Sequence, residues 1–228
     1  VGDRIGYVLG KPVIVPVRGS NGRPVWKAIF GGGYNNKLQG VTATQGTVTL
    51  FVVDMATGDV DYIDAKETGG PAAANGLGNI VAIDRYQYDT TSSGYLLGSD
   101  GMVDTVYGGD LQGNVWKFDL TKTGTARVSL GGKPLFTAKD GTGSTAKRQA
   151  ITGGFEAAVG PRGGVMLLFG TGSFSYDGDK QNTDLHTMYG VLDMPGENLT
   201  LPITRANLVA QTIGASGTVS NATVDFFT

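Results

Sequence analysis

Residues 99–120 read SDGMVDTVYGGDLQGNVWKFDL, which begins like half of a calcium loop and ends as a β-hairpin. Calcium is a hard cation that collects about six to eight oxygens, from carboxylates at alternate positions and from a backbone carbonyl. Asp100, Gly101 and Asp104 fit part of such a spacing. Asp100-Gly101 is equally a good turn dipeptide, and Asp104 equally a residue that begins a strand. A second acidic cluster, SYDGDKQNTD at 175–184, contains Asp177, Asp179 and Asp184. Its next alternate positions are Gln181 and Thr183, and no glycine follows at the sixth, so it reads as a solvated acidic loop.

Catalytic groups are sparse. His186 is the only histidine and cysteine is absent, so multi-histidine and thiolate metal sites, disulfides and thiol catalysis are excluded. A Ser-His-Asp arrangement needs its serine on a strained turn such as G-x-S-x-G, and GTGSFS at 170–175 lacks that spacing. The glycine-rich GGGYN at 31–35 and GTG at 170–172 open no helix, so they read as tight turns and not as phosphate cradles. The chain reads as a non-enzyme. Trp116 alternates with charged neighbours so that Trp116, Phe118 and Leu120 share an apolar face, which means core. Trp26, after GRPV, reads as core as well.

The elements that would position these residues are strands. Short runs rich in Val, Thr, Tyr and Phe are punctuated by Gly, Asn and Asp. Helical periodicity is confined to NLVAQTI at 207–213 and TAKRQA at 145–150. The strand types recur in order. Leading apolar strands lie at 12–17, 79–84 and 154–159. Each is followed by one ending in an aromatic residue and glycine, at 27–33, 104–110 and 165–172. Third strands, ending in Asp before a glycine-containing turn, lie at 49–58, 115–124 and 189–196. Weaker fourth strands are DYID at 61–64 and PLFTA at 134–138.

Repeats of this kind predict the blades of a β-propeller, since a four-stranded blade must stack on neighbours to bury its faces. A β-sandwich is the alternative. Three rounds fall short of the roughly four blades that closed propellers need, so a blade is missed or the chain belongs to a longer one. The length of 228 residues suits one all-β domain. Net charge is −2 and charged residues are 17%, which leaves no basic face for nucleic acid. No apolar run approaches the roughly 20 residues of a spanning helix, and no signal peptide is present, as expected of any mature or trimmed chain.

YGGDLQGNVWKFDL at 107–120 resembles the signature of the type IV pilus tip-associated adhesins, the PilY/PilC family. Further segments match in order: GKPVIVPV at 10–17, WKAIFGGGYNN at 26–36 (with Gly32 and Asn36 at variable places), VVDMATGDV at 52–60, NGL at 75–77, GGVMLLFGTGSF at 163–174 and TMYGVLD at 187–193. The resemblance covers nearly the whole chain. It implies an all-β, modified seven-bladed propeller, with residues 1–228 forming part of a single C-terminal propeller domain and about three to five of its blades. The terminal SNATVDFFT resembles the approach to a further strand.

The resemblance also implies a nine-residue calcium loop, D-x-D-x-D-G-x-x-D, before the strand that carries YGGDL. Asp100, Gly101 and Asp104 fall on its fifth, sixth and ninth positions, and Met102 would offer its backbone carbonyl. The first and third positions become Leu96 and Gly98, which carry no carboxylate. A second alignment makes Asp84 the first ligand, because the family's leading strand runs directly into it. Residues 85–99 are then an insertion, from which Asp89 or Ser99 could supply an oxygen. If calcium is lost, that insertion, with Tyr86, Tyr88 and Tyr95, is a candidate contact surface, or its tyrosines pack over a blade edge.

The function implied is that of a pilus-tip or cell-surface adhesin and type IV pilus biogenesis factor. It would be exported, support pilus extension against retraction and surface attachment, dock on minor pilins or a host-surface ligand, and respond to calcium. A pyrroloquinoline quinone enzyme on a quinoprotein-like propeller, which shares turns such as DMATG, and a non-adhesive scaffold propeller are the alternatives.

Overall fold

The computed structural model describes residues 2–36, 47–71, 73–85, 88–89, 94–95, 99–174, 177–194 and 200–221. Its strands are β1 (Val13–Arg18), β2 (Pro24–Gly31), β3 (Gly33–Tyr34), β4 (Val48–Asp54), β5 (Val60–Ala65), β6 (Gly76–Ile83), β7 (Tyr88–Asp89), β8 (Gly94–Tyr95), β9 (Thr105–Asp110), β10 (Asn114–Asp119), β11 (Phe136–Thr137), β12 (Phe155–Val159), β13 (Val165–Gly170), β14 (Met188–Asp193) and β15 (Ile203–Thr204). The helical turns among them are short 3₁₀ pieces.

The three rounds expected from sequence become three antiparallel blades. Blade one is β1-β2-β4-β5. Blade two is β6-β9-β10-β11, extended by β3 at its inner edge and by β15 at its outer edge. Blade three is β12-β13-β14. After β14 the chain returns to blade two, where β15 pairs with β11 in parallel, Phe136 opposite Ile203. Among the described residues blade three therefore has no fourth strand.

Two hydrophobic layers hold the blades together. Val17, Ile29, Leu50, Ile63, Leu77, Val106, Trp116 and Phe118 fill the space between blades one and two. Tyr107, Val115, Phe136, Ile151, Leu167, Phe169, Tyr189 and Val191 fill that between blades two and three. Strands β9 and β10 are thus buried on both faces, as strands become when both sides of a sheet are covered. Trp116 and Phe118 are fully buried, as their alternation predicts.

The outer faces of blades one and three stay apolar and open. Trp26, expected in the core, is 57% exposed. It lies opposite Pro16 on the face that also carries Ile14, Val60 and Tyr62, all exposed. Its strand does have a core face, but Trp26 is on the other one. Leu168 and Met188 are exposed on the corresponding far face of blade three.

The expected helical segments do not form helices. Of residues 207–213, Asn207 closes a single 3₁₀ turn, Arg205–Asn207, and the rest run without helix to an Ile213–Val219 bridge. Residues 145–150 leave a turn closed by the Ala146 N–H on the Gly143 carbonyl and bridge to Lys139 through Arg148, because their side chains serve tertiary partners: Arg148 pairs bidentately with Glu67 at 2.8 Å, and Gln149 donates to the Leu185 carbonyl at 2.7 Å. Local propensity yields to such contacts.

The GDLQGN hairpin is organised by Asp110, which is fully buried. Its carboxylate accepts hydrogen bonds from the backbone N–H groups of Gln112 and Asn114, from Asn114 Nδ2, from Asn75 Nδ2 and from Trp116 Nε1, all within 2.8–3.1 Å. Gly113 completes the turn at φ +79°, where a Cβ would stand 2.6 Å from the Gln149 carbonyl oxygen. Burial raises the Asp110 pKa, while these donors, led by Trp116, oppose the rise. Asp110→Ala is expected to cost at least about 3 kcal/mol in urea unfolding, because several buried donors lose their acceptor. Asp110→Asn should also destabilise, since an amide N–H₂ would face donors.

Candidate functional site

Blade two gathers the predicted carboxylates at one end. Ile83, Thr105 and Asp119 lie side by side across β6, β9 and β10, so Asp84, just past β6, and Asp104, just before β9, flank the same rim. The Asp104 N–H donates to the Ile83 carbonyl at 3.2 Å. Asp84 Oδ2 accepts the Ser99 hydroxyl at 2.9 Å and the Gly101 N–H at 2.7 Å, which pins the returning end of the 85–99 insertion. Among the described residues, Asp84 Oδ1 is buried with no hydrogen-bond partner. Asp104 Oδ1 accepts Thr105 Oγ1 at 2.6 Å and the Arg85 N–H at 3.3 Å. Burial first, then the nearby Asp84 and Asp119 carboxylates, raise the Asp104 pKa, against the pull of those two hydrogen bonds.

Asp100 takes a different orientation. Its Oδ1 accepts the Met102 N–H at 2.9 Å, and its Oδ2 pairs with the Arg18 guanidinium at the end of β1. Met102 lines a small pocket with Arg18, Asp100, Asp104 and Leu120. Of the other loop positions, Leu96, Gly98 and Tyr86 lie outside the described residues. Asp89 pairs with Gly94 in the β7–β8 hairpin, as does Tyr88 with Tyr95. Among the described residues, no group of three His, Asp or Glu side chains stands close enough to hold a metal. The unpartnered Asp84 oxygen and the partly buried Asp104 are the features of this rim that would fit a hard cation. Asp100 would join them only by leaving Arg18.

A second polar centre was not foreseen from sequence. Asp193 closes β14 at the position that in the other two rounds is Asp54 and Asp119. Those two cap their turns: Asp54 Oδ1 accepts the Ala56 and Thr57 N–H groups, and Asp119 accepts that of Thr121. Asp193 instead is buried between blades and its Oδ2 meets Arg85 Nη1 at 2.5 Å, Lys117 Nζ at 2.8 Å and Tyr107 OH at 2.5 Å. Arg85 also donates to the Asp193 carbonyl at 3.2 Å. Burial opposes the Asp193 charge, but Lys117 and Arg85 outweigh it and hold the pKa below the ordinary 3.8. Burial lowers the Lys117 pKa and raises that of Tyr107. The only signal in the sequence was the recurrence of Asp, which looks the same in both roles.

His186 is exposed on a cleft of about 340 Å³ shared with Asp140, Lys147, Arg148, Ser173 and Asp184. The Ser173 hydroxyl donates to Asp179 at 2.6 Å, which does not activate it through His186. Lys147 pairs with Asp184 at 2.8 Å. Asp177 and Asp184 are exposed and Asp179 is half-buried, so this cluster is an acidic loop with internal partners.

Comparison with known proteins fits this architecture. The family model described as "PilY1 beta-propeller domain" matches residues 1–223. A type IV pilus biogenesis factor PilY1 homolog of Xylella fastidiosa is 38% identical, over 94% of this chain and 14% of its own length. The type IV pilus biogenesis factor PilY1 of Pseudomonas aeruginosa PAO1 is 31% identical, over 92% of this chain and 18% of its own. The crystal structure of the P. aeruginosa PilY1 C-terminal domain superposes with a TM-score of 0.66 at 30% identity, covering 92% of this chain and 43% of that one. The chain thus spans a small part of the curated relatives and under half of the solved domain.

Two outcomes follow from the charges. Asp104 has a folded pKa above its ordinary 3.8, so its ionisation disfavours folding as pH rises through that window and at neutral pH. Asp104→Asn, whose amide oxygen can still accept both hydrogen bonds, should raise the melting temperature in chelator at pH 7. The gain should vanish below pH 3.8. Asp193 has the opposite sign: its stabilisation is present above 3.8 and lost as pH falls through its lower folded pKa. Asp193→Asn leaves two buried cations without a countercharge and should cost about 3–5 kcal/mol in denaturant unfolding.

Proposed function

The chain belongs to the PilY1 β-propeller family, and we propose that it is the propeller part of a type IV pilus biogenesis factor, acting at the pilus tip or outer cell surface. In this reading it favours pilus extension over retraction, supports attachment, and docks on minor pilins or a host-surface ligand. One observation carries the proposal: the family match runs through residues 1–223 of a chain whose blades superpose on the solved PilY1 C-terminal domain. The open apolar faces of blades one and three agree, because blades in a larger ring would cover them. Residues 1–228 are then part of one C-terminal propeller domain. No helix among the described residues is long and apolar enough to cross a membrane.

Calcium belongs to the same reading. When bound, it supplies a positive centre that closes the loop. Asp84 and Asp104 would hold it, helped by the Met102 carbonyl and, once freed, Asp100. Asp84 Oδ1, buried and unpartnered, supports this assignment. The loop's state would then bias pilus assembly.

The test is complementation in the bacterium that encodes the protein. A strain deleted for the full-length gene should lack surface pili and twitching motility. The intact gene should restore both, and a version lacking residues 1–228 should not, although it is expressed and exported. Normal piliation with the propeller segment removed would sink the proposal.

A further inference from the structure

We propose that Arg18 acts as an internal counter-ion of the loop, occupying Asp100 until a divalent cation takes that carboxylate away. The inference rests on the calcium reading of Asp84 and Asp104 and identifies what the cation must displace.

The carboxylates at this rim have unequal partners. Each of Asp84 Oδ2 and Asp104 Oδ1 accepts two uncharged donors, which could remain while other oxygens of the same carboxylates turn to a cation. Among the described residues, Asp100 alone of the three carries an ion pair, to Arg18. A guanidinium and a divalent cation cannot occupy one carboxylate oxygen, since both need its charge and they repel each other. The loop also has little to spare. Leu96 and Gly98 stand where two carboxylates would complete the nine-residue pattern, so losing Asp100 to Arg18 removes one of the few charged ligands left.

Arg18 belongs to blade one, whereas the loop belongs to blade two. Its other nitrogen, Nη1, lies 3.4 Å from the Gly22 carbonyl oxygen in the β1–β2 turn, so the side chain has a place to rest after release. The Val103 N–H donates to the Pro16 carbonyl at 2.8 Å and keeps the loop seated on β1 in either state. Cation binding would therefore free the tip of the loop from the β1–β2 hairpin without undocking its base. The rim then has two arrangements, one sealed by Arg18 and one by the cation. A pair exposed to this degree is weak enough to be displaced.

The test is calorimetric titration of calcium chloride into the chelator-stripped 228-residue chain, with melting curves in parallel. Arg18→Gln should bind calcium about two- to fivefold more tightly than the unaltered chain, and its melting temperature should rise more for the same calcium. Arg23→Gln, in the same hairpin, is the control for general loss of positive charge and should leave affinity unchanged. Asp100→Asn should weaken binding and erase the benefit of Arg18→Gln in the double variant. Equal affinities for the unaltered chain and Arg18→Gln would overturn the counter-ion role and leave the calcium reading intact. Equal tightening by Arg23→Gln, or weaker binding by Arg18→Gln, would overturn it as well. No binding by either the unaltered chain or Arg18→Gln up to millimolar calcium would overturn both.

Discussion

A blade that buries only one face cannot stand alone, and everything else in this structure follows from stacking. Blade two is covered on both sides, so β9 and β10 hold apolar groups in both directions: Trp116 and Phe118 toward blade one, Tyr107 and Val115 toward blade three. At about 25 cal/mol per Å² of apolar surface removed from water, such layers dominate the stability of an all-β arc. The same rule accounts for exposed Trp26 and Met188, which stand on faces with no described neighbour.

Stacking also fixes where charge can go. A polar group between blades must find partners there, since water is excluded. Asp110 solves this with hydrogen bonds from its own hairpin and from Asn75. Asp193 solves it with cations from the neighbouring blade. Arg85 connects two centres: its backbone reaches Asp104 at the rim, and its side chain reaches Asp193 between the blades. The rim carboxylates are thereby tied to the interface that holds blade three, which gives the loop a physical route to the rest of the arc.

The rim itself is a compromise. The insertion at 85–99 separates Asp84 from Asp100 along the chain, yet β6 and β9 are paired, so Asp84 and Asp104 return to the same end of the blade. Sheet register restores a proximity that sequence spacing had broken. What it does not restore is the alternating carboxylate spacing, and Asp100 turns to Arg18 on the neighbouring blade instead.

The strand order, the blade count up to the third, the buried Trp116 and the hairpin within residues 107–120 were all legible in the sequence. Those features depend on alternation and on turn chemistry, which act over a few residues. The pairing of Asp84 with Asp104 was legible as one of two alignments, through the position of a leading strand. The two short helical signals were misleading because Arg148 and Gln149 are claimed by distant partners. Only the tertiary structure decided that Trp26 faces outward, that Asp193 leaves its turn for Arg85 and Lys117, and that Asp100 meets Arg18. Each of these depends on which blade lies against which face. A local sequence pattern specifies that a face exists, but not what covers it.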